Sequence, residues 1–267
     1  MPPRFLLALA AALPALAPPV HAQAPQAAPT YAVLSLIGDQ LDAVTYQQQV
    51  GTLLDANSHL AMPMGAGNTL DTAALRETNS ALRATVAVTD VALLATSAPA
   101  IYADESRFFV GDQVRLPADI ESAVTQAKAS RLVMITKHRG EAHLKTKHGF
   151  IGSGKIEGLG FYVDTIHRIR DEDITDRNVG FLAPFVYVDV TLVDTASHTV
   201  VRQTTITASE TIPAVGNVKG ADAWGALTPE QKMSTLNRLL STSLAEVVPK
   251  LVQPSGPASQ AGDVAAR

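Results

Sequence analysis

Two stretches of this 267-residue chain gather side chains that could do chemistry. The first is Gly149-Phe150-Ile151-Gly152-Ser153-Gly154-Lys155-Ile156, which keeps the spacing of a phosphate-binding loop until its last position. Such a loop works because a strand delivers backbone N–H groups onto a helix N-terminus, and a Ser or Thr hydroxyl holds Mg²⁺. Ile156 stands where that hydroxyl belongs, and the residues after Lys155 alternate as a strand. The segment therefore reads as a glycine-rich loop, in which Gly152, Gly154, Gly158 and Gly160 let the backbone turn or approach another surface closely. No nucleotide or other cofactor is expected. The second stretch, Lys137 to His148, concentrates His138, His143 and His148 among Lys137, Arg139, Lys145 and Lys147. A short turn could set two imidazoles side by side for a metal. The intervening cations oppose a metal ion and no third ligand is evident, so no metal is expected. Lys137, Arg139, His143, Lys145, Lys147 and Lys155 instead form a candidate basic ridge. It suits an anionic surface such as phospholipid headgroups, lipopolysaccharide or a partner's acidic patch; a plain solvated ribbon is the simpler alternative.

A third stretch, Gly38-Asp39-Gln40-Leu41, is similar to the GDSL block of the SGNH hydrolases, with Gln40 where the nucleophilic serine belongs. An amide cannot attack an ester. Asp164-Thr165-Ile166-His167 resembles the late D-x-x-H motif of the same family. On a continuous strand, however, residues three apart point to opposite faces, so the two would not form one relay. His167 then reads as a partly buried sheet residue in register with Phe161 and Val163. The acidic cluster Asp171, Glu172, Asp173 and Asp176 lacks the glycine and terminal Glu of a calcium loop. No catalytic residue is assigned. An extracytoplasmic hydrolase with a degenerate or unrecognised site stands as the alternative to a non-catalytic module.

These side chains must be positioned by elements that the periodicity suggests. Tyr31–Ile37 and Gln40–Gln47 read as strands joined by a hairpin turn at Gly38-Asp39. Asp71–Arg83 reads as a helix with Leu75, Thr78 and Leu82 on one face. Val86–Ala95 reads as a strand buried on both faces. Pro117 suits a helix start, followed by Ile120, Val124 and Ala127 at helical spacing and by the apolar strand Arg131–Thr136. The hairpin Phe185–Thr207 alternates cleanly and is a place for an exposed sheet edge. Thr228, Pro229 and Gln231 spell a capping box for a final helix whose stripe is Met233, Leu236, Leu240, Leu244 and Val247, with Pro249 near its end. Trp224, just before it, reads as a packing anchor. The fold class is α/β to α+β: a mixed β-sheet flanked by helices, with the C-terminal helix packed on the sheet.

The N-terminus carries Arg4, a short apolar run broken by prolines and small-residue cleavage sites, the pattern of a secretory signal peptide. The expected organisation is a signal peptide over 1–22, a flexible Ala/Pro/Gln-rich leader over 23–30, one domain over 31–251 and a disordered tail over 252–267. The mature chain is then periplasmic or secreted, soluble and without a transmembrane segment. The chain contains no cysteine, which removes disulfides, thiol catalysis and thiolate metal sites. Its net charge of −4 opposes general nucleic-acid binding.

The Ala-rich helix running into a strand, "ADIESAVTQAKASRLVMITKH", the hairpin "VYVDVTLVDTASHTVVRQ" and the long terminal helix together resemble periplasmic modules of the curli-secretion-lipoprotein and TolB N-terminal type. That resemblance implies a small mixed sheet flanked by helices, used for assembly in the cell envelope in place of chemistry. The exposed edge of the hairpin and the basic segment favour a protein or anionic envelope component as partner. The lipoprotein members carry a lipidation cysteine that this chain lacks.

Overall fold

The computed structural model describes residues 29–38, 40–48, 56–63, 69–85, 90–96, 98–102, 105–167, 180–214 and 222–253. The segment expected to be a signal peptide (1–22), most of the expected leader, the acidic cluster and nearly all of the expected tail lie outside the described residues. Among the described residues the strands are β1 (Tyr31–Leu36), β2 (Gln40–Thr45), β3 (Ser58–Pro63), β4 (Val91–Leu94), β5 (Phe109–Val110), β6 (Gln113–Val114), β7 (Arg131–Lys137), β8 (Arg139–Glu141), β9 (Leu144–Thr146), β10 (Gly149–Ile151), β11 (Lys155–Asp164), β12 (Phe181–Asp194), β13 (Thr199–Ser209) and β14 (Ile212–Pro213). The helices are α1 (Thr69–Thr85), α2 (Pro99–Tyr102), α3 (Ala118–Gln126) and α4 (Pro229–Val252). The class is α+β with one mixed sheet and the C-terminal helix packed on it.

β12 organises the sheet. One of its edges pairs β13 in an antiparallel ladder. Its other edge is shared: β7 pairs with Val188–Asp194, and β11 continues the same line against Phe181–Tyr187. Lys137 opposes Val188, and Gly158 opposes Tyr187, the very next residue. The chain from His138 to Glu157 is therefore an excursion, looped out of what would otherwise be one strand. Outside this line, β1 pairs β7 and β2 pairs β11, both parallel. β4 closes the β1 end and β3 the β2 end.

The expected hairpin at Gly38-Asp39 does not form. β1 and β2 run in the same direction, and Gly38, with φ +78°, bends one line and does not reverse it. The composition explains why. All six residues of β1 are buried, which suits a strand enclosed between parallel neighbours and not a hairpin arm. β4, by contrast, pairs only with β1, and its Leu93 is 47% exposed, so burial on both faces is not observed. β12 is likewise interior. Only β13 of the predicted hairpin offers an outer edge, laddered to β6 at Thr199.

The alternation along the strands assigns the layers. Tyr31, Val33, Val133, Ile135, Val186, Val188 and Val190 face α1 and α4. Ala32, Leu34, Leu132 and Met134 face α3 and the Phe108–Val114 segment on the opposite side. α4 carries the expected capping box, with the Thr228 side chain accepting from Gln231 N–H and Gln231 accepting from Thr228 N–H. Leu236, Leu240, Leu244 and Val248 are fully buried. The helix continues to Val252, past Pro249. The Arg202 guanidinium from β13 satisfies its last carbonyls, donating to Lys250, Leu251 and Gln253 at 2.7–2.9 Å. Trp224 packs edge-on to Phe161, and the Lys232 ammonium lies 4.2 Å from its ring centre.

Candidate functional site

The excursion from His138 to Glu157 folds back over the half of the sheet that α3 leaves bare. Its inward residues Ala142, Leu144 and Ile156 close over Tyr162, Phe181, Ala183, Phe185 and Tyr187. β8 pairs the start of β11, while β9 and β10 form a separate two-stranded hairpin. Leu144 and Ile151 oppose each other and point inward. Lys145 and Phe150 oppose each other and point out. The turn Lys147-His148 is tied by Thr146, whose hydroxyl accepts from His148 N–H and donates to Gly149 O.

Two buried phenols hold this ribbon in place. The Tyr187 hydroxyl accepts from His143 N–H at 3.0 Å and reaches Glu141 O at 3.1 Å. Tyr162 meets the Ser153 carbonyl at 3.2 Å and Ser153 N–H at 3.3 Å, and Asn57 Nδ2 donates to the same carbonyl at 2.7 Å. Burial raises both phenols above their ordinary pKa, so each remains a neutral hydroxyl that can donate and accept. Lys145 N–H donates to Ser209 Oγ, and Thr211 Oγ1 to Lys145 O, which ties β9 to the end of β13. The ribbon is thus a fixed projection. Sequence reasoning missed these anchors, because a Tyr in an apolar strand announces burial and not the partner of its hydroxyl.

The glycine-rich segment is only partly a loop. Gly152 and Gly154 lie between β10 and β11, but Gly158 and Gly160 lie inside β11. A Cβ on Gly160 would stand 2.0 Å from the Asp42 carbonyl oxygen and 2.8 Å from the Phe185 ring. That glycine exists for close approach within a sheet. Lys155 opens a strand, so no helix N-terminus is presented to a phosphate.

The six predicted partner-binding residues fall in three places. Lys155 pairs with Glu141 at 2.5 Å, and Arg139 with Glu157 at 3.7 Å, both across the β8–β11 ladder. Lys137 lies along the sheet beneath, its side chain against Gly158 and Gly38. His143, Lys145 and Lys147, together with His148, are exposed around the hairpin tip. Phe150 stands among them at 73% exposure, the highest of the large apolar side chains described, with its ring 6.2 Å from that of His143. The inward alternation of Leu144 and Ile151 was the signal that could have placed Phe150 outside. His138 turns away from the other two histidines. Its Nδ1 lies 3.2 Å from Asp189, which also accepts from the Thr205 hydroxyl at 2.6 Å. No group of three metal-ligating side chains occurs among the described residues.

Asp164 and His167 do meet, contrary to the strand argument. β11 ends at Asp164. The chain then turns, with the Asp164 carboxylate accepting from Ile166 and His167 N–H, so that His167 Nδ1 lies 2.7 Å from Asp164 Oδ2. His167 is exposed on this turn and is not a sheet residue; its ring lies 4.8 Å from Tyr46. Gln40 is at the other end. Asp42 registers with Gly160 and Thr45 with Val163, so Gln40 and Asp164 are six residues, about 20 Å, apart along the ladder. The two halves of the hydrolase-like pattern therefore do not converge.

No family model matches the chain, and no curated protein matches it. Among solved structures it is similar to the PelC dodecamer from Paraburkholderia phytofirmans, at 14% identity and TM-score 0.34, over 84% of this chain and 87% of that one. It is similar to a putative neuraminyllactose-binding hemagglutinin homolog from Helicobacter pylori, at 10% identity and TM-score 0.38, over 89% and 90%. It is also similar to protein XCC0632 from Xanthomonas campestris, at 9% identity and TM-score 0.37, over 87% of each. Likenesses of this degree assign no function.

Proposed function

We propose that this protein is a non-catalytic binding or assembly module of the cell envelope, of the kind the curli-secretion and TolB N-terminal resemblance implies. On this reading a signal peptide over 1–22 is removed, a leader over 23–30 precedes one domain over 31–251, a tail follows, and the mature chain works in the periplasm or outside the cell. The observation that carries the reading is the ribbon: a rigidly anchored projection whose outer side presents Phe150 among Lys145, Lys147, His143 and His148. Two tyrosines and a hydrophobic cluster fix the base of this projection, while its tip remains exposed. That division suits contact with another surface better than enclosure of a small substrate. No helix among the described residues is long and apolar enough to cross a membrane.

Amine-directed crosslinking in the native envelope should capture an envelope component through Lys145 or Lys147. N-terminal sequencing of the native protein should begin near Gln23 or Pro25. Of the Asp–His pairs among the described residues, Asp164–His167 carries the hydrolase-like motif and favours a hydrolase instead. Turnover of an ester, glycoside or phosphate that is abolished by His167→Ala without unfolding would overturn the contact reading.

A further inference from the structure

Resting on that contact reading, we infer that the β9–β10 tip docks on an anionic lipid surface, with Phe150 entering the interfacial layer and the surrounding cations meeting the headgroups. The shape of the tip favours lipid over protein. A stable protein interface needs about 800 Å² from each partner, supplied by a broad patch. Here a single aromatic ring projects from the outer face of the three-residue strand β10, with the apolar residues Leu144 and Ile151 pointed away from it into the core. A fluid headgroup layer accepts a lone projecting ring, and aromatic rings settle at that depth. The charge distribution agrees. Glu141 and Glu157 are engaged by Lys155 and Arg139 at the base, and Glu210 by Arg238. Lys145 has no acidic partner among the described residues and stands directly across the ladder from Phe150. Cations beside an inserted ring gain from anionic headgroups within about a Debye length.

The test uses the mature chain and vesicles of phosphatidylcholine with or without phosphatidylglycerol. Sedimentation should show binding only with phosphatidylglycerol, weakened by added salt. Phe150→Ala should reduce partitioning about tenfold, and Lys145→Glu should reduce it further. Both positions are exposed, so the denaturation midpoints of the variants should stay at the wild-type value. In a Phe150→Trp variant, lipids brominated near the headgroup should quench the new fluorescence. Absence of binding to phosphatidylglycerol vesicles, or equal binding by Phe150→Ala, overturns the lipid assignment. If vesicles fail while crosslinks through Lys145 reach a protein, the contact reading stands and the lipid partner is wrong. If both fail, both are wrong.

Discussion

The Tyr187 hydroxyl lies 3.0 Å from the backbone nitrogen of His143 and joins the central strand to the projecting ribbon by a hydrogen bond through its core-facing side. The same oxygen reaches Glu141 O, so one phenol holds both ends of the β8–β9 turn. Tyr187→Phe should remove these bonds with little change in volume, leaving His143 N–H with its bond to Glu141 O at 2.9 Å. The expected loss is about 0.5–1.5 kcal/mol. Hydrogen exchange should speed up in the ribbon before it does in β12; an unchanged ribbon would show that its apolar contacts suffice.

Gly160 and Gly111 provide a contrast. A Cβ on Gly160 meets the Asp42 backbone at 2.0 Å, whereas a Cβ on Gly111 meets nothing within 4 Å, although φ there is +61°. Gly111→Ala should cost about 1–2 kcal/mol through backbone strain alone. Gly160→Ala should cost more, because it drives β2 and the Phe185 ring away from β11, an overpacking expected at the upper end of about 1–3 kcal/mol. Urea midpoints of the two variants give the order; a smaller loss for Gly160→Ala would contradict the close approach.

Leu240 is fully buried on the stripe of α4. Leu240→Ala should destabilise by about 2–5 kcal/mol. An unchanged denaturation midpoint would mean that the helix is detached from the sheet.

Asp71, in the first turn of α1, is 1% exposed. Burial raises its pKa above 3.8, outweighing the hydrogen bonds that it receives. The carboxyl accepts from Ile37 N–H at 3.0 Å and from the Tyr102 hydroxyl at 2.9 Å, and that hydroxyl also lies 2.9 Å from Thr96 O. A raised folded pKa gives a contribution fully present below the unfolded pKa and lost as pH rises through the folded one. The wild type should therefore lose stability relative to Asp71→Asn as the pH rises above the ordinary carboxylate range. Parallel pH profiles for the two proteins would contradict this.

Legibility in the sequence followed the range of the forces involved. α4 was readable from its cap to Leu244, since Thr228, Pro229, Gln231 and the leucine stripe all act within a few residues of one another; beyond that Val248, and not Val247, is the fully buried position. The strands of β7, β12 and β13 were readable from alternation and apolar runs. The partnering of β1 and β2 was not, because a Gly-Asp pair between two strands fits a reversal and a bend equally well locally. The decision came from β7 and β11, more than ninety residues away. The basic segment was visible as composition, but its division into paired Arg139 and Lys155 at the base and exposed Lys145 at the tip required the ladder register. Asp164 and His167 were misjudged because the strand was extended past its true end.

The return of the chain to the next register position on β12, Lys137 opposite Val188 and Gly158 opposite Tyr187, has a consequence for the insert. The scaffold has the same edge whatever lies between those two residues. Within the insert, inward positions such as Leu144, Ile151 and Ile156 answer to the scaffold, and outward ones such as His143, Lys145 and Phe150 answer to whatever they meet. Substitutions at the outward residues can therefore change the surface that the hairpin presents, while the inward residues keep its seat on the sheet.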